Sequence, residues 1–477
     1  MNTNIIYPTS LSATMNAASG SPSTAAANVA KAATNNTAQD DISQDRNTTS
    51  NAMLLQLPDE LIVSITDYAT YVPVAGRARR SVLVDRMHKP PYDLDTRLLK
   101  SLCLVCARLR RIVQPSLFRD VTFTTSTATI PPSPNVLKLW DVLKVRQDLR
   151  QCCRSLQTYV HNPNQAQDPD SWSVVRDFAK WMTNITYLSI HGGFSGGGSG
   201  PSSRLMNAYN WDLIRTMASN MKDVEELVIT RTWETALLDE LFDQLDFAKL
   251  RTLRLIGPPR IKRQLPVLPP NKHRTAPFTT LFLFNYDQSL SSIAILMDWP
   301  AVLTRFECYN RYFTREFKGL ETLLLVHKDT LKHIELGYMY PDSDTHIFNT
   351  RLFPALEFLR MSRWSMPKHL TCEAMINLLG PSLKTIVWDL ALSEKRIEDW
   401  RSLSEYEITW LRLLANMASE HVNVLEKVVL EFTHKYWGNA EELGYLWGDV
   451  DMMRDEVMRP AGIDLIHNEP EIVLKDW

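Results

Sequence analysis

Apolar residues recur along most of this chain in one short pattern, in which one apolar residue is followed three and five positions later by two more. Clear copies occupy residues 185–190, 224–229, 250–255, 278–283, 303–308, 331–336, 356–361, 383–388 and 425–430. The last two apolar positions of each copy are two apart, which places both side chains on one face of a strand. Stretches between the copies, such as 236–247 and 371–379, can form helices. The pattern therefore predicts one buried strand and one helix per repeat.

The repeat length is regular. From Leu227 to Ile386 the central apolar residues follow one another at steps of 26, 28, 25, 28, 25 and 27 residues. Leucine-rich repeats have this motif at a period of about 20–29 residues, so we expect an α/β fold, a curved leucine-rich-repeat solenoid. The step of 39 from Leu188 and the step of 42 to Val428 predict insertions, the first of them a glycine-serine loop at 192–203. The asparagine or cysteine usual three residues after each copy is missing, which predicts irregular turns.

Residues that alternate with the buried positions belong to the opposite face of these strands, and we expect them to be exposed. They are Arg254, Phe282, Phe284, Arg305, Glu307, Tyr309, His333, Glu335, Phe358 and Arg360. Aromatic and arginine side chains are enriched in protein interfaces, and solenoid faces commonly bind other proteins. We therefore predict a target-binding surface for a protein substrate whose identity the sequence does not give. The alternative, scattered residues on a solvated sheet, remains open.

The pattern is different before residue 125. Pro58 suits a first helical position, Asp59 and Glu60 a first turn, and Leu61 and Ile65 share a helix face.

A second stripe follows at steps of 4, 3, 4 and 3 residues: Leu98, Leu102, Val105, Leu109 and Ile112. It predicts one continuous helix, which Pro115 would end. A short strand at 117–123 would follow.

Segment 54–123 resembles an F-box of the fungal type. The resemblance is carried by LPDELIVSI and by LLKSLCLVCARLRRIVQPSLFRDVTF, which match its Leu-Pro-x-Glu-Leu opening and its later Leu-x-x-Val-Cys helix. The two halves are farther apart than usual, because a basic segment at 66–97 separates them. We expect that segment to be an inserted loop, with Leu83 and Leu94 as remnants of the middle helix. The resemblance implies that apolar side chains dock on a Skp adaptor. Those residues are Leu57, Pro58, Leu61, Ile65, Leu102, Val105 and Leu109.

The resemblance also implies a function. An F-box followed by divergent leucine-rich repeats is typical of the substrate-recognition subunit of a Skp–cullin–F-box ubiquitin ligase, which reaches a cullin–RING ligase through the adaptor. Such a subunit has no catalytic residues and needs no cofactor. The alternative is a non-degradative F-box scaffold protein, because both would use the same surfaces.

Composition limits the possible classes. The 477 residues have a formal net charge of −2, so no global basic field indicates nucleic-acid binding. The six cysteines are too sparse for a disulfide framework. Without a signal peptide or a membrane-spanning stretch, we expect a cytoplasmic or nuclear protein. The predicted order is a disordered tail at 1–50, an F-box at 51–125, a linker and solenoid cap at 126–180, and the capped solenoid at 181–477.

Two motifs raise the question of chemistry. Residues 193–197 read Gly-x-Ser-x-Gly around Ser195, but the helix that must follow a nucleophile elbow at once is not predicted there, so we expect no catalytic serine. Cys103 and Cys106 form a Cys-x-x-Cys pair without a second pair. We therefore expect no metal site, and Cys106 to be a small buried apolar residue.

Overall fold

The computed structural model of the protein divides into two compact units, residues 1–62 and 63–477. It describes residues 56–73, 92–94, 96–124, 133–160, 169–192, 201–230, 241–242, 245–257, 267–284, 290–309, 317–337, 339, 346–367, 369–390, 403–421, 424–432 and 444–467. The predicted tail at 1–50, Leu83 and Ser195 lie outside these residues.

Short elements precede the large sheet. They are α1 (Asp59–Thr70), β1 (Tyr71–Pro73), β2 (Tyr92–Leu94), α2 (Thr96–Val105) and α3 (Ala107–Leu117). Strands β1 and β2 pair antiparallel, with Tyr71 opposite Leu94. Leu94 is therefore part of a strand, and its prediction as a helical remnant is wrong. Most of the basic segment, 74–91, lies outside the described residues.

Twelve strands form one sheet in the order of the sequence, each parallel to the next. They are β3 (Asp120–Thr124), β4 (Ser155–Val160), β5 (Tyr187–Gly192), β6 (Glu226–Thr230), β7 (Thr252–Ile256), β8 (Thr280–Phe284), β9 (Arg305–Tyr309), β10 (His333–Leu336), β11 (Phe358–Ser362), β12 (Thr385–Asp389), β13 (Lys427–Glu431) and β14 (Asp464–His467). All nine strands predicted from the repeat are present. Sequential order and parallel pairing are compatible with a solenoid-like repeat.

Helices occupy many of the connections between these strands. They are α4 (Pro134–Val145), α5 (Gln147–Arg150), α6 (Pro169–Trp181), α7 (Pro201–Asn220), α8 (Leu290–Asp298), α9 (Phe317–Leu324), α10 (Cys372–Leu378), α11 (Glu405–Glu420) and α12 (Gly444–Met452). A π-helix, Met453–Met458, continues α12. Helix α10 confirms the prediction at 371–379, and Thr371 caps it by accepting from the amide of Ala374. Most of 236–247 lies outside the described residues. Because α7 begins at Pro201, the glycine-serine loop ends before its predicted limit.

The core follows the central apolar residue of each repeat. These residues stand opposite one another in adjacent strands and form one continuous buried row. The row is Val121, Leu156, Leu188, Leu227, Leu253, Leu281, Phe306, Ile334, Leu359, Ile386, Val428 and Leu465. Buried helical side chains such as Phe178, Leu296 and Trp410 belong to the same core cluster. The prediction that these central apolar residues are buried is therefore confirmed. Each repeat buries its apolar strand positions against its neighbours, and helical side chains pack on them in the repeats that have a helix.

Within the described part of the chain, no helix is both long enough and apolar enough to cross a membrane.

Candidate binding surfaces

Helix α1 leaves large apolar side chains in solvent. Leu61 and Ile65 are about half exposed, and Tyr68 is 88% exposed. They follow at steps of four and three residues, so they lie on one side of the helix. Ile62 and Thr66 are buried instead. A surface helix normally turns its apolar side inward. An exposed apolar stripe is therefore a candidate contact for a partner.

The start of α1 differs slightly from the prediction. The carbonyl oxygen of Pro58 accepts hydrogen bonds from the amides of Leu61 and Ile62, both at 3.1 Å. Pro58 therefore immediately precedes the first helical residue, Asp59, and does not occupy the first helical position. It remains exposed, as a docking residue must be.

The predicted continuous helix is broken at Cys106. This residue has φ −158° and ψ 166°, an extended conformation, and its thiol accepts a hydrogen bond from the amide of Leu109 at 3.4 Å. Cys106 is therefore the half-buried N-cap of α3 and not a buried apolar residue as predicted. Helix α3 also continues through Pro115 to Leu117, so Pro115 does not end it.

This break determines what the second half of the F-box-like segment exposes. At the end of α2, Leu104 is 78% and Val105 65% exposed, whereas Leu99 on the same helix is buried. Leu109 and Val113 of α3 are buried as well. Helices α2 and α3 pack on each other, and the last turn of α2 projects its apolar side chains into solvent.

The seven predicted docking residues therefore differ in accessibility. Six are at least partly accessible: Leu57, Pro58, Leu61, Ile65, Leu102 and Val105. Leu109 is buried and cannot contact a partner, because it packs inside the helical segment. Leu104 was missed, since a single unbroken helix puts it off the apolar stripe. Tyr68 was missed because it lies in the segment assigned to the inserted loop.

The strand face predicted to be exposed is largely buried. The predicted exposure is wrong for Phe282, Phe284, Glu307, Tyr309, Glu335 and Arg360. Their side chains do share one face, but residues of neighbouring strands lie opposite one another, only about 4.8 Å apart, and cover each other. Tyr187, Val228, Ile256, Phe282, Phe284 and Tyr309 form a second, smaller apolar cluster there.

Solvent reaches this face mainly at the first residue of each strand. From β6 to β13 every first residue is half-buried, and most of the residues that follow are buried. Arg305, His333 and Phe358 belong to this accessible row, and the imidazole of His333 stacks on the Phe358 ring at 3.9 Å. Arg254, two residues after the first residue of β7, remains partly exposed, lies over the Phe282 ring at 5.1 Å and donates to Glu226 at 2.6 Å.

Glu335 is the centre of a buried ionic network on this face. One of its carboxylate oxygens accepts from Arg305 and from Nε2 of His333, each at 2.6 Å. The other accepts from the hydroxyl of Tyr309 and lies 3.9 Å from the Arg360 guanidinium. Burial alone would raise the pKa of Glu335, but the His333 hydrogen bond, the Arg360 charge and the Tyr309 hydrogen bond lower it to about 2. The carboxylate therefore remains ionised inside the protein.

Arg360 connects this carboxylate to the next two strands. Its guanidinium contacts Asp389 at 2.8 Å and Glu431 at 2.7 Å. Burial would lower the pKa of Arg360, but the surrounding Tyr309, Asp389, Glu431 and Glu335 hold it well above its ordinary value. Strands β9 to β13 are thus joined by ion pairs as well as by their backbone ladders.

A serine and a histidine also pair on this face. The hydroxyl of Ser189 lies 2.8 Å from Nε2 of His191, and Tyr159 stacks on the imidazole at 4.4 Å. A catalytic serine and its base need a distance of this size. Ser189 is fully buried, however, so a substrate carbonyl cannot reach the Ser189 hydroxyl. The pair is a structural hydrogen bond.

The described residues contain no disulfide and no metal-binding cluster. All six cysteines are free thiols, and burial raises the pKa of the Cys153 thiol far above its ordinary value. No group of three or more histidine, cysteine, aspartate or glutamate side chains among these residues could hold a metal ion.

A scan of protein-family models and a search of curated proteins find nothing that matches this chain.

Proposed function

We propose that this chain is the substrate-recognition subunit of a Skp–cullin–F-box ubiquitin ligase. In this proposal the F-box-like segment binds the Skp adaptor through the exposed apolar residues of α1 and α2, and the repeat sheet holds the target protein. The chain supplies no catalytic residue. It acts by proximity, raising the effective concentration of a target lysine near the conjugating enzyme.

The observation that carries the proposal is the concentration of exposed apolar side chains in one part of the chain. Of sixteen large apolar residues exposed in the described structure, nine lie between residues 61 and 145. The other seven are spread over more than 300 residues. Six of the nine belong to the segment that resembles an F-box. Isolated exposed apolar residues are ordinary, but clusters mark sites where partners bind.

The sheet supports the second half of the proposal. Its twelve strands are joined by backbone ladders, and β9 to β13 also by ion pairs, so it presents a rigid surface. A target would contact the accessible row, and in particular Arg305, His333 and Phe358. The buried residues Phe282, Tyr309 and Arg360 would position that row without touching the target.

Co-purification with a Skp adaptor tests the proposal. The double variant Leu61→Asp with Val105→Asp places one carboxylate on α1 and one on α2, and we expect it to abolish binding, because desolvating an unpaired charge costs several kcal/mol. Val267→Asp is the matched control, since Val267 is 78% exposed but lies between β7 and β8, far along the chain from the F-box-like segment. It should bind as the wild type does. Undiminished binding by the double variant would remove the adaptor from the proposal.

The same pull-down separates the ligase from a non-degradative scaffold. A ligase subunit brings the cullin down together with the adaptor, and its target accumulates when the double variant replaces the wild type. A scaffold retains the adaptor without cullin, and its partner's abundance does not change.

A further inference from the structure

Helices α2 and α3 have several basic residues as well as exposed apolar ones. Between Thr96 and Phe118 the sequence has five basic residues and no acidic one, although the whole chain has a formal net charge of −2. The basic residues are Arg97, Lys100, Arg108, Arg110 and Arg111. All but Arg108 are exposed.

The helical geometry places these charges beside the apolar residues. Arg97, Lys100 and Leu104 are spaced three and four apart, so they lie along one side of α2. Arg110 approaches from α3, because its Nε donates to the carbonyl oxygen of Cys103 at 3.1 Å. That bond holds the Arg110 guanidinium at the C-terminal end of α2, where the helix dipole favours a cation. The acceptor residue, Cys103, directly precedes Leu104.

We propose that this basic rim selects a partner with an apolar pocket surrounded by acidic residues, and that the Skp adaptor presents such a surface. The inference rests on the proposed function and adds the electrostatic character of the interface. Leu104 and Val105 enter the pocket, while Lys100 and Arg110 face carboxylates at its edge. Rim charges of this kind mainly raise the association rate, because they act before the surfaces meet.

A nucleic acid fits this surface less well. Phosphate binding explains arginine and lysine, but two strongly exposed aliphatic side chains in the middle of the patch gain nothing from a phosphate backbone. The described residues of α2 and α3 also have no aromatic side chain on which a base could stack before Phe118.

Association kinetics with the purified adaptor, measured with the full chain at 50, 150 and 500 mM NaCl, test the inference. For the wild type we expect the association rate constant to fall about tenfold over this range, with little change in dissociation, because the Debye length falls well below 10 Å. Lys100→Gln with Arg110→Gln should lower the rate about threefold or more at 50 mM and flatten the salt dependence. Lys222→Gln with Lys328→Gln removes two exposed lysines outside this segment and should leave both unchanged.

Each outcome decides a separate question. Adaptor binding with the same rate at all three salt concentrations, or equal rates for the two double variants, refutes the basic rim and leaves the proposed function standing. The basic rim is also refuted if a single-stranded RNA oligonucleotide displaces the adaptor, or if the chain associates with itself through these residues and so blocks the adaptor. Absence of adaptor binding at every salt concentration refutes the proposed function and this inference together.

Discussion

Acid should weaken the protein through one buried carboxylate, that of Glu335. Glu335 accepts hydrogen bonds from Arg305 and His333 at 2.6 Å each, and from Tyr309. Burial disfavours its ionised form, but the His333 hydrogen bond, the Arg360 charge and the Tyr309 hydrogen bond outweigh burial, so its pKa falls from an ordinary 4.5 to about 2. Replacing it by glutamine removes the titration and keeps the size of the side chain.

The sign and size of the effect follow from this pKa. Since the folded protein holds this carboxyl's pKa below its unfolded value, the folded state binds the proton less tightly than the unfolded state. Its contribution to stability is therefore complete above about pH 4.5 and is lost as the pH falls toward 2. A difference of about 2.5 pKa units, at about 1.4 kcal/mol each, corresponds to about 3–4 kcal/mol in the free energy of unfolding.

Urea unfolding followed by circular dichroism at pH 7, 5, 4 and 3 measures this contribution. We expect Glu335→Gln to be less stable than the wild type by up to about 3–4 kcal/mol at pH 7, with a difference that shrinks as the pH falls below 4.5. Glu357→Gln is the control, because Glu357 also faces two cations, Lys332 and Lys384, but its side chain is 44% exposed. It should change stability by less than about 1 kcal/mol at every pH. A constant difference between Glu335→Gln and the wild type from pH 7 to pH 3 would refute the ionic account of this network.

Two further pairs of substitutions test local geometry. A Cβ at Gly380 would lie 2.9 Å from the carbonyl oxygen of Thr350, so Gly380→Ala should lower the free energy of unfolding by about 1–3 kcal/mol. A Cβ at Gly448, which lies in a helix, would meet nothing within 4 Å, so Gly448→Ala should raise the free energy of unfolding by about 0.5–1 kcal/mol. Cys106→Ala removes the N-cap bond to Leu109 and should cost about 1 kcal/mol in urea unfolding, and Cys106→Ser should retain most of it. Equal stabilities within either pair would contradict the packing or capping argument concerned.

The repeat could be predicted because its signal is local and redundant. Each copy places two apolar residues two positions apart, and a one-residue error in register would turn both to the wrong face. Strands β4 and β14 were missed for a local reason too. Their third pattern position holds Thr158 and His467, polar residues where the other copies have an apolar one. The central residues Leu156 and Leu465 keep the register nevertheless.

The candidate surfaces were predicted less well, because they depend on contacts between distant residues. The alternation of apolar and polar positions correctly puts Glu335 and Arg360 on the face opposite the core. It does not show whether that face is accessible to solvent. Their partners come from other repeats: Arg305 precedes Glu335 by 30 residues, and Asp389 follows Arg360 by 29. Pairing of this kind satisfies charges without water, so charged residues become buried. No spacing rule within one repeat carries that information.

This burial changes what the strand face can recognise. A buried ion pair whose partners are already bonded contributes little to the binding of a target, because breaking it would leave an uncompensated charge. Arg360, which is 4% exposed, therefore cannot serve as an anchor. Arg305 is different: it bonds Glu307 and Glu335, yet its side chain remains 39% exposed. With His333 and Phe358 it forms the part of the face that a target can reach. Phe358 makes none of the bonds that Glu335 accepts, so its substitution should affect target binding more than stability, and substitution of Arg360 should do the reverse.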